Sequence, residues 1–238
     1  MIYINHEKKA IFIHIPKTGG SYIGPTLAKY YGFKCYLHLI AFRRPDHDAL
    51  CNTVEYSNTT PLTGVTTYDN SFFNKKIGIL EYCSTSDYFN ERMNMDEDKW
   101  STYTKFCFIR NPYSRAVSSW RHFNTIFQKH ISLYDYLHQT AVSNIEYGHI
   151  FMNQKTHIQN KDGQCGVTII GRFEHLEEDF REILQSIGFD TMVHRPLRIN
   201  VSNHSGSDDI ELEIRTIQKI NKLFKEDFDT FHYQMVHL

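Results

Sequence analysis

A lysine, a threonine, two glycines and a serine follow the apolar run Ile11 to Ile15 in the stretch IFIHIPKTGGS. Those residue types in that order suit the capture of an anion. Glycines let main-chain N–H groups come close to an oxyanion, and a helix opening at the same point adds partial positive charge. Lys17 contributes a full charge, while Thr18 and Ser21 offer hydroxyl donors beside Gly19 and Gly20. The plainer account of the same stretch is a tight strand-to-helix turn with a surface lysine. It is not the nucleoside-triphosphate loop G-x-x-x-x-G-K-[ST], because there the lysine follows the glycines and Lys17 precedes both.

A second stretch, FCFIRNPYSRAVSSW at 106–120, carries an arginine out of an apolar strand and a serine, Ser118, eight residues later. Ser118 shares a helix side with Ser114 by i,i+4 spacing. A terminal phosphate gripped by a strand-end guanidinium and a serine hydroxyl satisfies both partners. Alone, Arg110 is equally suited to an ion pair with a carboxylate, and Ser118 to an ordinary helix surface. Magnesium-dependent phosphoryl transfer needs an acidic residue after a neighbouring strand. Here KFCFI runs into Arg110 and VTIIG into Arg172. Arginine in that place points to direct cationic binding of phosphate or sulfate, with no metal expected.

The elements that must position these residues follow from the apolar pattern. Ile2 to Ile4 and Ala10 to Ile15 read as two strands around the polar turn Asn5 to Lys9, and helical spacing runs from Gly20 to about Tyr31 across Pro25. Lys76 to Tyr82 reads as a short strand. Lys105 to Ile109 and Gly166 to Gly171 read as strands buried on both faces. Asn111 caps a helix that has Pro112 at its first position and runs to about Phe127. Further helices are expected over Leu133 to Ala141, around Phe180 to Ile187, and from about Asp208 to Phe231. This alternation implies a P-loop-like, three-layer α/β fold, with a mainly parallel central sheet flanked by helices. One domain spanning 1–238 is expected, with an unreadable insertion at about 33–75.

Composition narrows the function classes. Lys and Arg number 26 against 27 Asp and Glu, a balance that excludes the broad basic field of a nucleic-acid-coating protein while permitting a local basic pocket. No apolar run approaches the roughly 18 residues that span a bilayer. Charged residues interrupt the first ten positions, against a signal peptide. The five cysteines are odd in number and widely spaced, which disfavours a disulfide framework or zinc site and suits a cytoplasmic setting. Cys107, inside an apolar run, reads as a small buried hydrophobe.

Taken in order, IPKTGGS followed by FIRNPYSRAVSS resembles the sulfotransferase family that uses 3′-phosphoadenosine-5′-phosphosulfate (PAPS). GRFEHLEEDFREIL at 171–184, NVSNHS at 200–205 and KEDFDTFHY at 225–233 are similar to segments of its carbohydrate-sulfotransferase branch, which acts on heparan- or chondroitin-type chains. The resemblance implies that the first motif binds the 5′-phosphosulfate, and that Arg110 and Ser118 bind the 3′-phosphate. It implies sulfuryl transfer to a hydroxyl acceptor, a carbohydrate, with Lys17 aimed at the leaving oxygen and no metal. Asn203 and His204 then close over the nucleotide. That chemistry needs a general base. Where relatives often carry a histidine this chain has Glu81, which is the first candidate, and His38 is the second. Arg172 and Glu174 read as residues that orient helix and sheet. The competing readings are a metal-dependent, nucleotide-kinase-type phosphotransferase and a PAPS-binding module that has lost its base. The acceptor's identity and the oligomeric state are not encoded in any motif.

Overall fold

Ile2–Asn5 (β1) and Ala10–Ile13 (β2) pair antiparallel, Ile2 opposite Ile13 and Asn5 opposite Ala10. The turn between them is shaped by Asn5, whose Oδ1 accepts from the Lys8 amide at 2.8 Å. The structure is a computed structural model and describes residues 2–37, 79–85, 94–143, 152–190 and 211–237. After β2 come α1 (Gly20–Tyr30), β3 (Lys34–Leu37), α2 (Ile79–Thr85), α3 (Glu97–Thr102) and β4 (Thr104–Ile109). They are followed by α4 (Pro112–Phe127), α5 (Leu133–Ser143), α6 (Gln154–Ile158), β5 (Ile169–Arg172), α7 (Leu176–Ser186), α8 (Ile214–Leu223) and α9 (Lys225–Phe231).

The sheet order is β3-β1-β2-β4-β5. β2, β4 and β5 run parallel, and β1 is antiparallel to both its neighbours, so four of the five strands point one way. Side chains alternate across the sheet. Ile2, Ile4, Ile11, Ile13, Cys107 and Ile109 face one way and meet Ile79 and Leu80 of α2, Trp100 of α3, Ile158 of α6 and Phe231 of α9. Tyr3, Phe12, Phe106 and Phe108 face the other way and meet Tyr22, Ile23 and Leu27 of α1 and Phe180, Ile183 and Leu184 of α7. This is the three-layer α/β arrangement read from the sequence. A separate cluster joins α4 and α5 to α8 and α9.

Three local expectations need correction. Lys76 to Tyr82 is not a strand where it is described: Ile79–Thr85 is helical. A short apolar run does not distinguish the two by period. Ile79 and Leu80, adjacent in sequence, join the same apolar cluster, which helical geometry allows and a strand's alternation does not. β5 starts at Ile169 and among the described strands lies at the sheet edge with Ile170 exposed, rather than being buried on both faces. The final helix divides at Phe224, whose buried ring and non-helical φ of −115° separate α8 from α9. The divided helix turns Asp227 into the interior.

His14 extends from the end of β2 beneath the start of α1. A Cβ on Gly20 would lie 1.8 Å from His14 Nε2, so only glycine fits unless that ring moves. Gly20→Ala is expected to destabilise by about 1–3 kcal/mol through overpacking. In a His14→Ala background most of that loss should disappear. Denaturant unfolding of both single variants and the double variant gives the coupling, and strict additivity would contradict the contact.

Candidate functional site

The C-terminal ends of β2 and β4 lie side by side because these strands are parallel neighbours, Ile13 opposite Cys107. In parallel α/β sheets this end is where ligands bind. The loop leaving β2 contains two left-handed residues, Lys17 at φ +70° and Gly19 at φ +91°. Gly19 suits that conformation, and its Cα sits against Phe173 and Leu176, where an added Cβ would crowd at 3.2–3.3 Å. Thr18 is fully buried and its hydroxyl donates to the Ile15 carbonyl at 2.9 Å, so its side chain holds the loop together. Gly20 and Ser21 open α1, with the Gly19 carbonyl accepting from the amides of Tyr22 and Ile23. The first amides of a helix have no partner within it, and Ser21 is exposed there.

Arg110 emerges from β4 onto this loop. Its Nε donates to Ser114 Oγ at 2.9 Å, Nη1 reaches the Lys17 carbonyl at 3.5 Å, and the guanidinium lies 3.9 Å from the centre of the Phe173 ring. Asn111 caps α4 as expected, its side chain accepting from the Tyr113 amide at 2.9 Å. Ser118 follows Ser114 by one turn of α4 and is half-buried. The two stretches singled out in the sequence therefore meet, and Lys17 and Arg110 are neighbours.

The amine of Lys17 titrates at about 8, far below its ordinary 10.5. Burial is the largest cause, followed by the charges of Arg110 and then Arg115. Between pH 8 and 10.5 the unfolded chain binds more protons at this group than the folded one does. The stability it contributes is complete above 10.5 and lost as pH falls through about 8. The free site is thus strained by its own positive charge, which an anion relieves.

Arg115, Gln154 and Asp227 are site residues that the sequence reading missed. Arg115 is only 2% exposed, and donates to the carbonyls of Pro16 and Met152, each at 3.1 Å. Its Nη1 lies 3.8 Å from Asp227. Gln154 grips the main chain of Arg110 at both ends: it accepts from its N–H and donates to its C=O, each at 2.8 Å. A charged residue between the helix-former pattern of Tyr113, Ala116 and Val117 was the one available signal, for Arg115 alone.

Arg172 and Glu174 do orient elements. Arg172 Nη2 donates to the Phe231 carbonyl at 2.8 Å, while Glu174 accepts from the Asn111 amide at 2.7 Å and the Tyr233 hydroxyl at 2.9 Å. Cys107 is fully buried, and burial pushes its thiol up. Glu81 lies half-buried in the first turn of α2, a helix that packs against α6 and so approaches the Gln154 segment. His38, Asn203 and His204 lie outside the described residues. Among the described residues no group of three or more His, Cys, Asp or Glu is arranged to hold a metal ion, and no helix is long and apolar enough to cross a membrane.

A crystal structure of a sulfotransferase from Alicyclobacillus acidocaldarius aligns over 94% of this chain and 86% of its own, at 15% identity and a TM-score of 0.39. No curated protein matches the sequence. The profile of the sulfotransferase family matches residues 1–234, nearly the whole chain and both halves of the cationic site, and the chain belongs to that family.

Proposed function

We propose that this protein transfers a sulfuryl group from PAPS to a hydroxyl acceptor, and that the acceptor is a carbohydrate. One observation carries the reading. Lys17 and Arg110, 93 residues apart in sequence, touch at the ends of two parallel strands, beside a glycine turn that opens a helix. That cradle fits a doubly anionic nucleotide: the lysine amine is strained by charge, and a second cation is fixed in place by Ser114. The five scattered cysteines suit a reducing, cytoplasmic setting.

The donor, when bound, supplies the sulfuryl group and a phosphate leaving group. The Gly19-Gly20-Ser21 turn holds its 5′ end with main-chain amides and the Ser21 hydroxyl. Arg110 and Ser118 hold the 3′-phosphate and set the register of the whole ligand. Lys17 keeps its proton on Nζ and directs that charge at the oxygen on which negative charge develops. Glu81 takes the acceptor proton, with His38 as the alternative base. Asn203 is a further nucleotide contact in this reading.

Incubation with labelled PAPS and a panel of glycans tests the whole proposal. Binding with transfer supports it, binding of adenosine 3′,5′-bisphosphate without transfer to any acceptor favours a donor-binding module, and neither overturns it. Lys17→Ala should lower kcat by about 10²–10³-fold, as expected for removing one preorganised charge. Arg110→Ala should act chiefly on the donor KM, raising it about 10–100-fold, the value of a hydrogen bond to a charged group. Near-normal turnover in Lys17→Ala would remove the loop from the mechanism. Glu81→Gln should reduce kcat by about 10²-fold or more if Glu81 is the base.

A pH experiment isolates the electrostatics. Lys17 titrates at about 8 in the free protein, and a bound anion favours its charged form. Binding of the bisphosphate at pH 8.5 should therefore take up a proton, and affinity should fall as pH rises past about 8. The nucleotide's own phosphates, with second pKa values near 6, are already ionised there. Calorimetry in buffers of different ionisation enthalpy reads the uptake directly, and Lys17→Met should abolish it.

A further inference from the structure

Behind the anion loop lies a buried polar chain for which sulfuryl transfer itself gives no use. Asp227, on α9, is fully buried. Its carboxylate accepts from Gln154 Nε2 at 3.2 Å and from the Lys155 amide at 3.1 Å, and it faces Arg115 Nη1 at 3.8 Å. From this one carboxylate two routes lead to the site. Through Gln154 it reaches the N–H and C=O of Arg110, and through Arg115 it reaches the carbonyl of Pro16. Neither Asp227 nor Arg115 is exposed enough to touch a ligand, at 0% and 2%.

The Pro16 carbonyl belongs to the same rigid peptide unit as the Lys17 nitrogen. Fixing the direction of that carbonyl fixes the plane from which Lys17 starts, and Lys17 holds a left-handed φ of +70° that a non-glycine residue adopts only under constraint. Arg115 supplies the constraint from below. Stability does not account for the pair. A buried ion pair is commonly matched or bettered by apolar residues of similar volume, because desolvating two charges offsets their attraction. Burial indeed pushes the Asp227 carboxyl up and the Arg115 guanidinium down, each partly restored by the other. What the pair provides is direction.

We infer that Asp227 is a positioning residue for the anion site, acting through Arg115 on the Pro16–Lys17 peptide and through Gln154 on the main chain of Arg110. The inference rests on the donor-binding reading of Lys17 and Arg110. Among the described residues the guanidiniums of Arg110 and Arg115 face Lys17, and the Asp227 carboxylate, the titratable Tyr136 hydroxyl and the Arg110 guanidinium face Arg115.

The test is the charge-free replacement Arg115→Met/Asp227→Asn, which leaves no lone buried charge behind. Two readouts are taken on the folded protein. Competitive acetylation followed by mass spectrometry gives the titration midpoint of Lys17 without any ligand. It should rise above about 8, because one lowering charge is gone and the loop relaxes toward water. Calorimetric titration with adenosine 3′,5′-bisphosphate should show affinity at least tenfold weaker. Asp227→Asn, nearly isosteric, serves where the double variant does not fold and should weaken the same affinity at least threefold. Asp229→Asn, on an exposed residue paired with Lys225, should change neither readout. A folded double variant with wild-type Lys17 midpoint and wild-type affinity overturns the inference, as does a loss of melting temperature alone. If the wild-type protein does not bind the bisphosphate, the donor reading fails, and the Lys17 midpoint in Asp227→Asn still decides: loss of a carboxylate would by charge alone lower it, so a rise supports the brace and no rise counts against it.

Discussion

A cationic amine buried beside two guanidiniums loses hydration and meets like charge, and the rest of this site is arranged around that cost. Burial strips the Lys17 amine of water and, with the charges of Arg110 and then Arg115 added, the lysine sheds much of its basicity. Each cation is held by different means. Arg110 lies on the face of Phe173 and is tied to Ser114, contacts that fix a guanidinium without neutralising it. Arg115 is screened by Asp227 and turned to carbonyls. Lys17, its affinity for its proton lowered by burial and by its neighbours, is a member whose charge an arriving anion would stabilise. The free site weakens the hold of Lys17 on its proton, and in the proposed reading a bound phosphate or sulfate ester restores it.

The sheet makes the convergence possible. Parallel pairing of β2 with β4 sets their C-terminal ends together, whereas an antiparallel pair would send the two loops to opposite ends of the molecule. The β1 hairpin lies on the far side of β2 and leaves its junction with β4 untouched. Close approach of α1 to the sheet then brings the helix start to the loop, and the small residue at Gly24 serves the same end. A Cβ there would lie 2.4 Å from the Tyr3 hydroxyl. Glycines at 20 and 24 thus let one face of the helix lie against His14 and Tyr3, and the amides at its start follow from that packing.

What the sequence disclosed tracks the locality of each signal. The strand–loop–helix units around Lys17 and Arg110 were legible because an unbroken apolar run ended at Pro16 or at Asn111-Pro112, and such punctuation acts within a few residues. α2 was misread because four apolar letters fit either period, and α3, β3 and α6 were too short to declare one. The division of the last helix at Phe224 has no local marker; burial of Asp227 and Phe228 on the inner side explains it better than propensity does. Gln154 and Asp227 were invisible for a related reason. Their partners lie 44 and 73 residues away in the chain, and a hydrogen bond made over that distance leaves no periodicity.

Position 17 sets conformational preference against the use proposed for its side chain. The loop turns left-handed twice, at Lys17 and at Gly19, with Thr18 pinned between them to the Ile15 carbonyl. At position 19 a glycine meets both demands, since the backbone angle and the neighbouring Phe173 and Leu176 side chains each exclude a larger residue. At position 17 glycine would also relieve strain, of the order of 1–3 kcal/mol for a non-glycine residue in this region. Glycine carries no amine. A lysine is retained in the less favourable conformation, where main-chain direction and the guanidiniums of Arg110 and Arg115 together fix what its charge can meet. In the proposed mechanism the strain therefore sits on the residue whose side chain is used, and the brace inferred for it comes from α4 and α9, far along the chain.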